Sequence, residues 1–248
     1  MPREEIFFEL IIPAHNESLV ILETVNELKA CLSKLNLNYL ITVADNCSSD
    51  GTDQVVKKAN IKNCRVVLVS EKGKGAAIVN CAKNTKANLF GFIDADLSAD
   101  PKHIGSFVEE IILGRCDVVV GSRFHSGSRV KRGFLRDLLS RTFVSVRSLF
   151  VDIDVIDSQC GLKIMNKKGI TVLAMCEERT WFFDLEFLDL AKKVGLNVKE
   201  MPVEWDEFVY KNRKSKINIL RDGFLAMLAF VRIYYRNNLK HKWKRKSL

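Results

Sequence analysis

The chain has 248 residues, 47% of them apolar and 28% charged. That length and balance suit one ordered domain with a full core, or one domain plus a small appendage, and exclude a low-complexity or repeat-built chain. The seven cysteines are odd in number with no two of them three apart, which excludes a zinc ribbon or disulfide framework and reads as reduced, mostly core thiols.

The formal net charge of +9 is unevenly placed. Lys211–Leu248 holds twelve Lys and Arg against the single acid Asp222, so that segment carries +11 and the rest of the chain −2. A basic tail on a near-neutral domain points to a polyanion (nucleic acid, an anionic membrane or a protein partner) or is a solvated tail. The N-terminus opens on acids and passes straight into a strand pattern, unlike a secretory leader, so the expected location is cytoplasmic, peripheral at the cytoplasmic face of a membrane.

In chain order, Ile6–Ile12 is an apolar run ending at Pro13, and Glu17–Leu35 has helical spacing through Val20, Leu22, Val25, Leu28 and Leu32. A second strand is expected at Tyr39–Ala44, a short helix at Asp53–Ala59, a third strand at Arg65–Val69 and a helix from Lys74 to Lys83. Leu89–Ile93 reads as a fourth strand, Pro101 opens a helix to Leu113, and Asp117–Gly121 is a fifth strand. This alternation predicts an α/β fold, a mainly parallel central sheet with helices on both faces, whose ligands sit at the strands' carboxyl ends. The second half is less regular. It offers an amphipathic helix at Phe134–Asp152 with Arg136, Arg141 and Arg147 on its polar side, a strand at Gly161–Met165, a helix at Asp184–Val194, a strand at Asn197–Trp205 and a last helix at Lys216–Tyr235. The division expected is a domain over 1–210 and a basic, membrane-associating helix and tail over 211–248. Its longest apolar stretch, Phe224–Val231, falls short of the roughly 20 residues a spanning helix needs.

The sharpest chemical signal is Asp94-Ala95-Asp96, which ends the fourth apolar strand. Two carboxylates where a strand turns away can address one hard cation, which completes its shell with substrate phosphates. Pro13-Ala14-His15-Asn16-Glu17 follows strand one, and Asp45 through Thr52 follows strand two as a turn and helix cap or as a polar shelf for a base and ribose. Lys72-Gly73-Lys74-Gly75 opens a helix. It lacks the P-loop spacing, but its glycines would admit a ligand to the backbone and its amides would favour phosphate. His103 and His241 are expected on the surface.

Together these motifs resemble the family 2 glycosyltransferases, which have the GT-A fold. The Pro13–Glu17, Asp45–Thr52 and Asp94–Asp96 segments are similar to that family's opening, aspartate-rich turn and metal motif, with His15, Asn46 and Cys47 departing from its usual Tyr, acid and Gly. Gly121-Ser122-Arg123, Asp157 through Lys163, Trp181 through Glu186 and Pro202 through Trp205 resemble the dolichyl-phosphate glucosyltransferases, with the dolichyl-phosphate mannose synthases close by. The resemblance implies inverting transfer of a hexose, from UDP-glucose or next GDP-mannose, to a dolichyl or polyprenyl phosphate. It further implies Pro13, Ala14, Glu17, Asp45 and Asp94 around the nucleotide, Asp96 and Asp94 with Mg²⁺ or Mn²⁺, Lys74 near the diphosphate, and Arg123, Arg136 and Arg141 on the acceptor phosphate. A phosphate acceptor is already ionised and needs no strong base, whereas a hydroxyl acceptor on a sugar or protein would need one, for which Asp157 is the candidate. Trp181 and Trp205 read as core, the favoured alternative, or as lining the sugar site. A nucleic-acid-binding role for the tail would leave the acidic strand ends without purpose, so no nucleic acid is expected. The apolar faces of the helices at 134–152 and 216–235, beside their Lys and Arg, read as docking to an anionic membrane, as core, or as a homodimer interface.

Overall fold

The structure, a computed structural model, describes residues 5–207, 209 and 219–236, apart from the side chains at 135–136, 219–222 and 224. The basic tail beyond 236, the start of the last helix at Lys216 and the side chain of Arg136 therefore lie outside the description.

The first half alternates as expected: β1 (Phe7–Ala14), α1 (Ile21–Leu32), β2 (Asn38–Asp45), α2 (Thr52–Ala59), β3 (Cys64–Leu68), α3 (Lys74–Asn84), β4 (Leu89–Phe92), α4 (Ile104–Ile112) and β5 (Val118–Ser122). Pro101–His103 is a 3₁₀ turn ahead of α4, with the Asp100 side chain accepting from the Lys102 N–H. The second half holds β6 (Arg129–Lys131), α5 (Phe134–Arg147), β7 (Lys163–Asn166), α6 (Lys167–Ala174), α7 (Phe183–Lys193), β8 (Val198–Pro202), β9 (Glu204–Asp206) and α8 (Ile219–Tyr235).

The main sheet runs β3-β2-β1-β4-β7-β5-β8, and β6 pairs with β9 in a separate ribbon. The pairs β1·β2, β1·β4, β2·β3 and β5·β8 are parallel, while β7 is antiparallel to both β4 and β5. β1, β4 and β5 are buried on both faces, which explains their nearly unbroken apolar runs. One layer buries Val25, Leu28 and Leu32 of α1 with Ile104, Phe107 and Ile111 of α4. The opposite layer buries Ala77 and Ile78 of α3, Leu173 of α6 and Phe187 of α7.

Three expectations need correction. The single strand at 197–205 is two, because Pro202 has no N–H to extend the ladder and the Val203 N–H turns to Ser128 Oγ at 3.1 Å. The strand β6 and the helix α6 were not anticipated. α6 is rich in β-branched residues, and its start is set by Asn166, whose side chain accepts from the Lys168 and Gly169 N–H groups. Finally, α5 stops at Arg147, which is not on a polar face: it is buried, with Nη2 donating to the Val155 carbonyl at 3.2 Å.

Toward the C-terminal end, α8 packs Ala226, Phe230 and Ile233 on Leu185 of α7 and Val151, with Phe143, Val146 and Phe150 completing the cluster. Its other side leaves Met227, Leu228, Val231, Tyr234 and Tyr235 exposed. Among the described residues no helix is long and apolar enough to cross a membrane.

Candidate active site

The carboxyl ends of β1, β2 and β4 converge on one edge. Ala14 and Asp45 are partners in the β1·β2 register, and the backbone continues the pairing with the Asn46 N–H on the Ala14 carbonyl at 2.8 Å. Each of these strands leaves through a residue in the left-handed region, Asn16 (φ 55°), Cys47 (φ 59°) and Leu97 (φ 48°). Non-glycine residues rarely adopt that conformation, and such turns gather where backbone shape serves a site. Asp45 is buried and accepts from the Ser48 N–H at 2.9 Å. The buried Glu17 receives its anchor through its own N–H, which donates to Thr52 Oγ1 at 2.9 Å. Asp50, accepting from Thr52 and Ser18, is held down to about 2 by these bonds against the opposing effect of burial.

Asn46, where an acid was the expectation by resemblance, ties the floor of this shelf together. Its amide nitrogen donates to the Glu71 carbonyl at 2.6 Å and its oxygen accepts from the Gly73 N–H at 2.6 Å. A carboxylate offers no donor for the first of these bonds. Asn46 therefore fastens β2 to the loop that leads into α3.

Lys74, Asp94 and Asp96 come together at the centre. Lys74 Nζ lies 2.5 Å from Asp94 Oδ1, with the lysine side chain almost wholly enclosed. Burial opposes the charge on Lys74, but Asp94, Asp184 and Asp96 outweigh it and raise its pKa. Asp96 Oδ1 accepts from the Ser98 N–H at 3.1 Å. Thr24 Oγ1 of α1 donates to the Ala95 carbonyl at 2.7 Å, which fixes the turn between the two carboxylates. Gly161 lies against Asp94: a Cβ there would sit 2.1 Å from Asp94 Oδ2.

The glycines before and in α3 have a different use from the one expected. A Cβ at Gly73 would lie 2.0 Å from the Arg179 carbonyl oxygen, and one at Gly75 2.8 Å from two carbonyl oxygens of 178 and 180. The N–H groups of Gly75 and Ala76 donate to the carbonyls of Thr180 and Arg179 at 3.1 and 3.0 Å. The glycines admit another stretch of backbone, and these two amides are spent on it. Trp181 belongs to the same stretch. It is 60% exposed rather than core, with its ring 5.5 Å from Lys74 Nζ. Trp205 is buried as expected.

Beside this centre stands a guanidinium cluster. Arg123 makes a two-pronged ion pair with the buried Asp157, Nε at 2.7 Å and Nη2 at 2.8 Å, and its N–H donates to the same carboxylate. Its guanidinium lies over the Trp205 ring at 4.7 Å. Trp205 bridges to Ala99, just beyond Asp96, so the cluster and the carboxylate pair share a wall. Burial alone would raise the Asp157 pKa, but Arg123 holds it below the ordinary carboxylate range. Arg132, unforeseen in the sequence, and Arg141 flank Phe124 at 5.4 and 5.6 Å and share Asp137. The Asp137/Arg141 spacing of four on a helix was the available signal for that part of the cluster. His103 is half-buried rather than on the surface. Burial pushes its pKa down, and its Nε2 accepts from the Glu204 N–H at 2.8 Å. A cleft of about 790 Å³ lies alongside, lined by Cys31, Leu97, Ser98, Arg129 and Trp205. Neither Asp94 nor Asp96 lines it.

The donor set fits a hard divalent cation. Two half-exposed carboxylates stand at a strand end, and among the described residues no group of three or more acidic, His or Cys side chains closes a cage. A cation held there takes most of its shell from a diphosphate and water, the arrangement such ions favour.

The profile of Glycosyl transferase family 2 matches residues 9–172. Glycosyltransferase AglD of Haloferax volcanii is 26% identical over 86% of this chain, although the chain spans only 34% of that protein. Dolichyl-phosphate beta-glucosyltransferase of Saccharomyces cerevisiae is 26% identical over 96% of this chain and 79% of its own length. Glucosyl-3-phosphoglycerate synthase from Mycobacterium tuberculosis, solved with Mn²⁺, UDP and phosphoglyceric acid, superposes with a TM-score of 0.70 at 16% identity, over 94% of this chain and 79% of its own. That likeness shows a shared fold.

Proposed function

This chain belongs to glycosyl transferase family 2, and from that premise we propose that it moves a hexose, with inversion, from a nucleoside diphosphate sugar to a lipid phosphate. The observation that carries this reading is the meeting of an enclosed Lys74 and the carboxylates Asp94 and Asp96 with a guanidinium cluster across a shared wall. The first group suits a diphosphate leaving group with its cation, and the second an anionic acceptor. UDP-glucose is the favoured donor and GDP-mannose the next, on the similarity to dolichyl-phosphate glucosyltransferases.

Asp96, with Asp94, would hold Mg²⁺ or Mn²⁺, which supplies charge neutralisation of the departing diphosphate. Lys74 adds a further positive charge there. Asp45 and Glu17, with Pro13 and Ala14, form the shelf for base and ribose. An acceptor phosphate oxygen attacks the anomeric carbon. The bond from that carbon to the diphosphate oxygen breaks on the opposite side, and the nucleoside diphosphate leaves with the electron pair. No proton has to be removed. This suits Asp157, whose carboxylate is committed to Arg123 and is a weak base. Its role in this reading is to orient Arg123. Arg141, with Arg132 and by resemblance Arg136, receives the lipid phosphate. The exposed Met227, Leu228, Val231 and Tyr235 of α8, with Phe134 and Leu138 of α5, are the face that would lie in the headgroup region, helped by the basic tail.

A transfer assay with UDP-glucose or GDP-mannose, Mn²⁺ and a short polyprenyl phosphate in anionic vesicles tests the reading. Labelled lipid product that disappears in EDTA is expected, with protein floating alongside the vesicles at low salt. Donor turnover only onto a free sugar hydroxyl, with no lipid product, would overturn it. A second expected result concerns Asp45→Ala. Losing charged hydrogen bonds to the nucleotide costs about 1.5–3 kcal/mol, so UDP affinity should fall about 10- to 150-fold. Calorimetric titration reads this directly, and an unchanged affinity would remove Asp45 from the site.

A further inference from the structure

The stretch between α6 and α7, Glu177–Phe182, is a strap across the first turn of α3. Its carbonyls at Arg179 and Thr180 take the Gly75 and Ala76 N–H groups, and its Trp181 ring faces Lys74. The glycines at 73 and 75 allow it to approach until no side chain fits between. The strap therefore sets the position of the turn that carries Lys74.

The strap is itself held from behind by α8 and α7. Glu178 is buried and accepts from Arg232 Nε and Nη2 at 3.2 and 3.1 Å and from Arg236 Nη2 at 2.9 Å. The same carboxylate takes Thr180 Oγ1 at 2.6 Å, two residues along the strap. Glu186 of α7 accepts the N–H groups of Glu177 and Glu178 at 2.8 and 2.5 Å and lies 3.4 Å from Arg236. On the far edge Arg179 reaches Glu71 at 3.3 Å, in the loop that Asn46 fastens to β2. Polar contacts thus run from α8 through Glu178 and the strap to the first turn of α3, where Lys74 adjoins Gly75 and reaches Asp94.

We infer that Glu178 is a positioning residue for the donor site: clamped by Arg232 and Arg236, it presses the Glu177–Phe182 strap onto α3 and so sets Lys74 and Trp181 against Asp94. This rests on the reading of Lys74, Asp94 and Asp96 as the nucleoside diphosphate site. A solely structural tie would affect melting temperature alone. A positioning tie changes how tightly the diphosphate is held, so it raises the donor KM, and it lowers kcat as well because the displaced Lys74 faces the departing diphosphate.

The experiment titrates UDP with Mn²⁺ into the full chain by calorimetry and measures donor KM and kcat, for the wild type, Glu178→Gln and Arg232→Met. Glutamine keeps an acceptor for Thr180 but removes the charge that Arg232 and Arg236 grip. Arg232 is half-exposed, so its replacement leaves the fold intact if the buried Glu178 variant does not. The expected result is UDP binding weakened about tenfold in Glu178→Gln and about threefold in Arg232→Met, with KM raised in parallel. Wild-type UDP affinity and KM in Arg232→Met and in every folded Glu178 variant, whatever the melting temperature, would overturn the inference. Failure of the wild type itself to bind UDP or GDP with Mn²⁺ would instead overturn the donor-site reading on which it stands.

Discussion

Lys163→Met is expected to destabilise the protein by about 3–5 kcal/mol, the cost of leaving a buried charge without its partner. Lys163 is fully buried, and its Nζ lies 2.6 Å from Asp184 Oδ1. The same ammonium donates to the Ser158 and Cys160 carbonyls at 3.0 and 2.8 Å. One side chain thus joins α7 to the loop that carries Asp157. Burial raises the Asp184 pKa, with Lys163 and then Lys74 opposing it. Without Lys163 that carboxyl rises further. A carboxyl with a higher pKa folded than unfolded binds its proton more readily in the folded state, so the deficit is greatest above the folded pKa and shrinks as pH falls through it. Chemical denaturation at neutral and at acid pH reads this trend. Adding Asp184→Leu removes the stranded charge and should return most of the loss, leaving about 1 kcal/mol for each lost carbonyl bond. A single variant as stable as the wild type at neutral pH would show that the pair holds nothing together.

The first half of the fold was legible because β1, β4 and β5 are buried on both faces and its helices on one. Continuous apolar runs such as Leu89–Phe92 alternate with the helical spacing of Val25, Leu28 and Leu32, and that pattern survives without neighbours. The direction of β7 was not legible. Lys-Ile-Met-Asn carries no sign of which way the strand runs, and only the neighbours β4 and β5 decide it. Helix α6 hid behind Ile170, Thr171 and Val172, whose local preference tertiary packing overrides. The carboxylate pair could be found because it ends an apolar strand. The strap could not. Gly73 and Gly75 announce a close approach, yet a glycine does not name what approaches, and here it is the backbone of residues 179 and 180. Of the two places open to Trp181, the core gives way for a related reason: large aromatics are usually enclosed, and its exposure follows from the position of the strap. Lys163 ran against the strongest prior of all, since a lysine is almost never fully buried unless paired, and its partner lies 21 positions away.

On the proposed reading, in which Asp96 would help to hold a divalent cation, Asp96→Asn is expected to lower kcat for transfer about a thousandfold, since such a cation is worth several kcal/mol of charge stabilisation and each 1.36 kcal/mol is tenfold in rate. Asparagine retains an oxygen for the Ser98 N–H, so the turn after β4 keeps its bond and the melting temperature should stay within a few degrees of the wild type. The contrast is Asp94→Asn. Asp94 pairs with an enclosed Lys74, and removing its charge leaves an ammonium with weaker company from Asp184 and Asp96. That variant should lose both activity and stability, and its Lys74 pKa should fall, whereas Asp96→Asn should lose activity with little else. Calorimetric titration of UDP with and without Mn²⁺ separates the two further. In Asp96→Asn the two titrations should become nearly equal, because the extra affinity that Mn²⁺ brings depends on the carboxylate that has been neutralised. A thousandfold loss of rate with the Mn²⁺ dependence of UDP binding intact would place the cation elsewhere. A near-normal rate would remove Asp96 from the reacting centre.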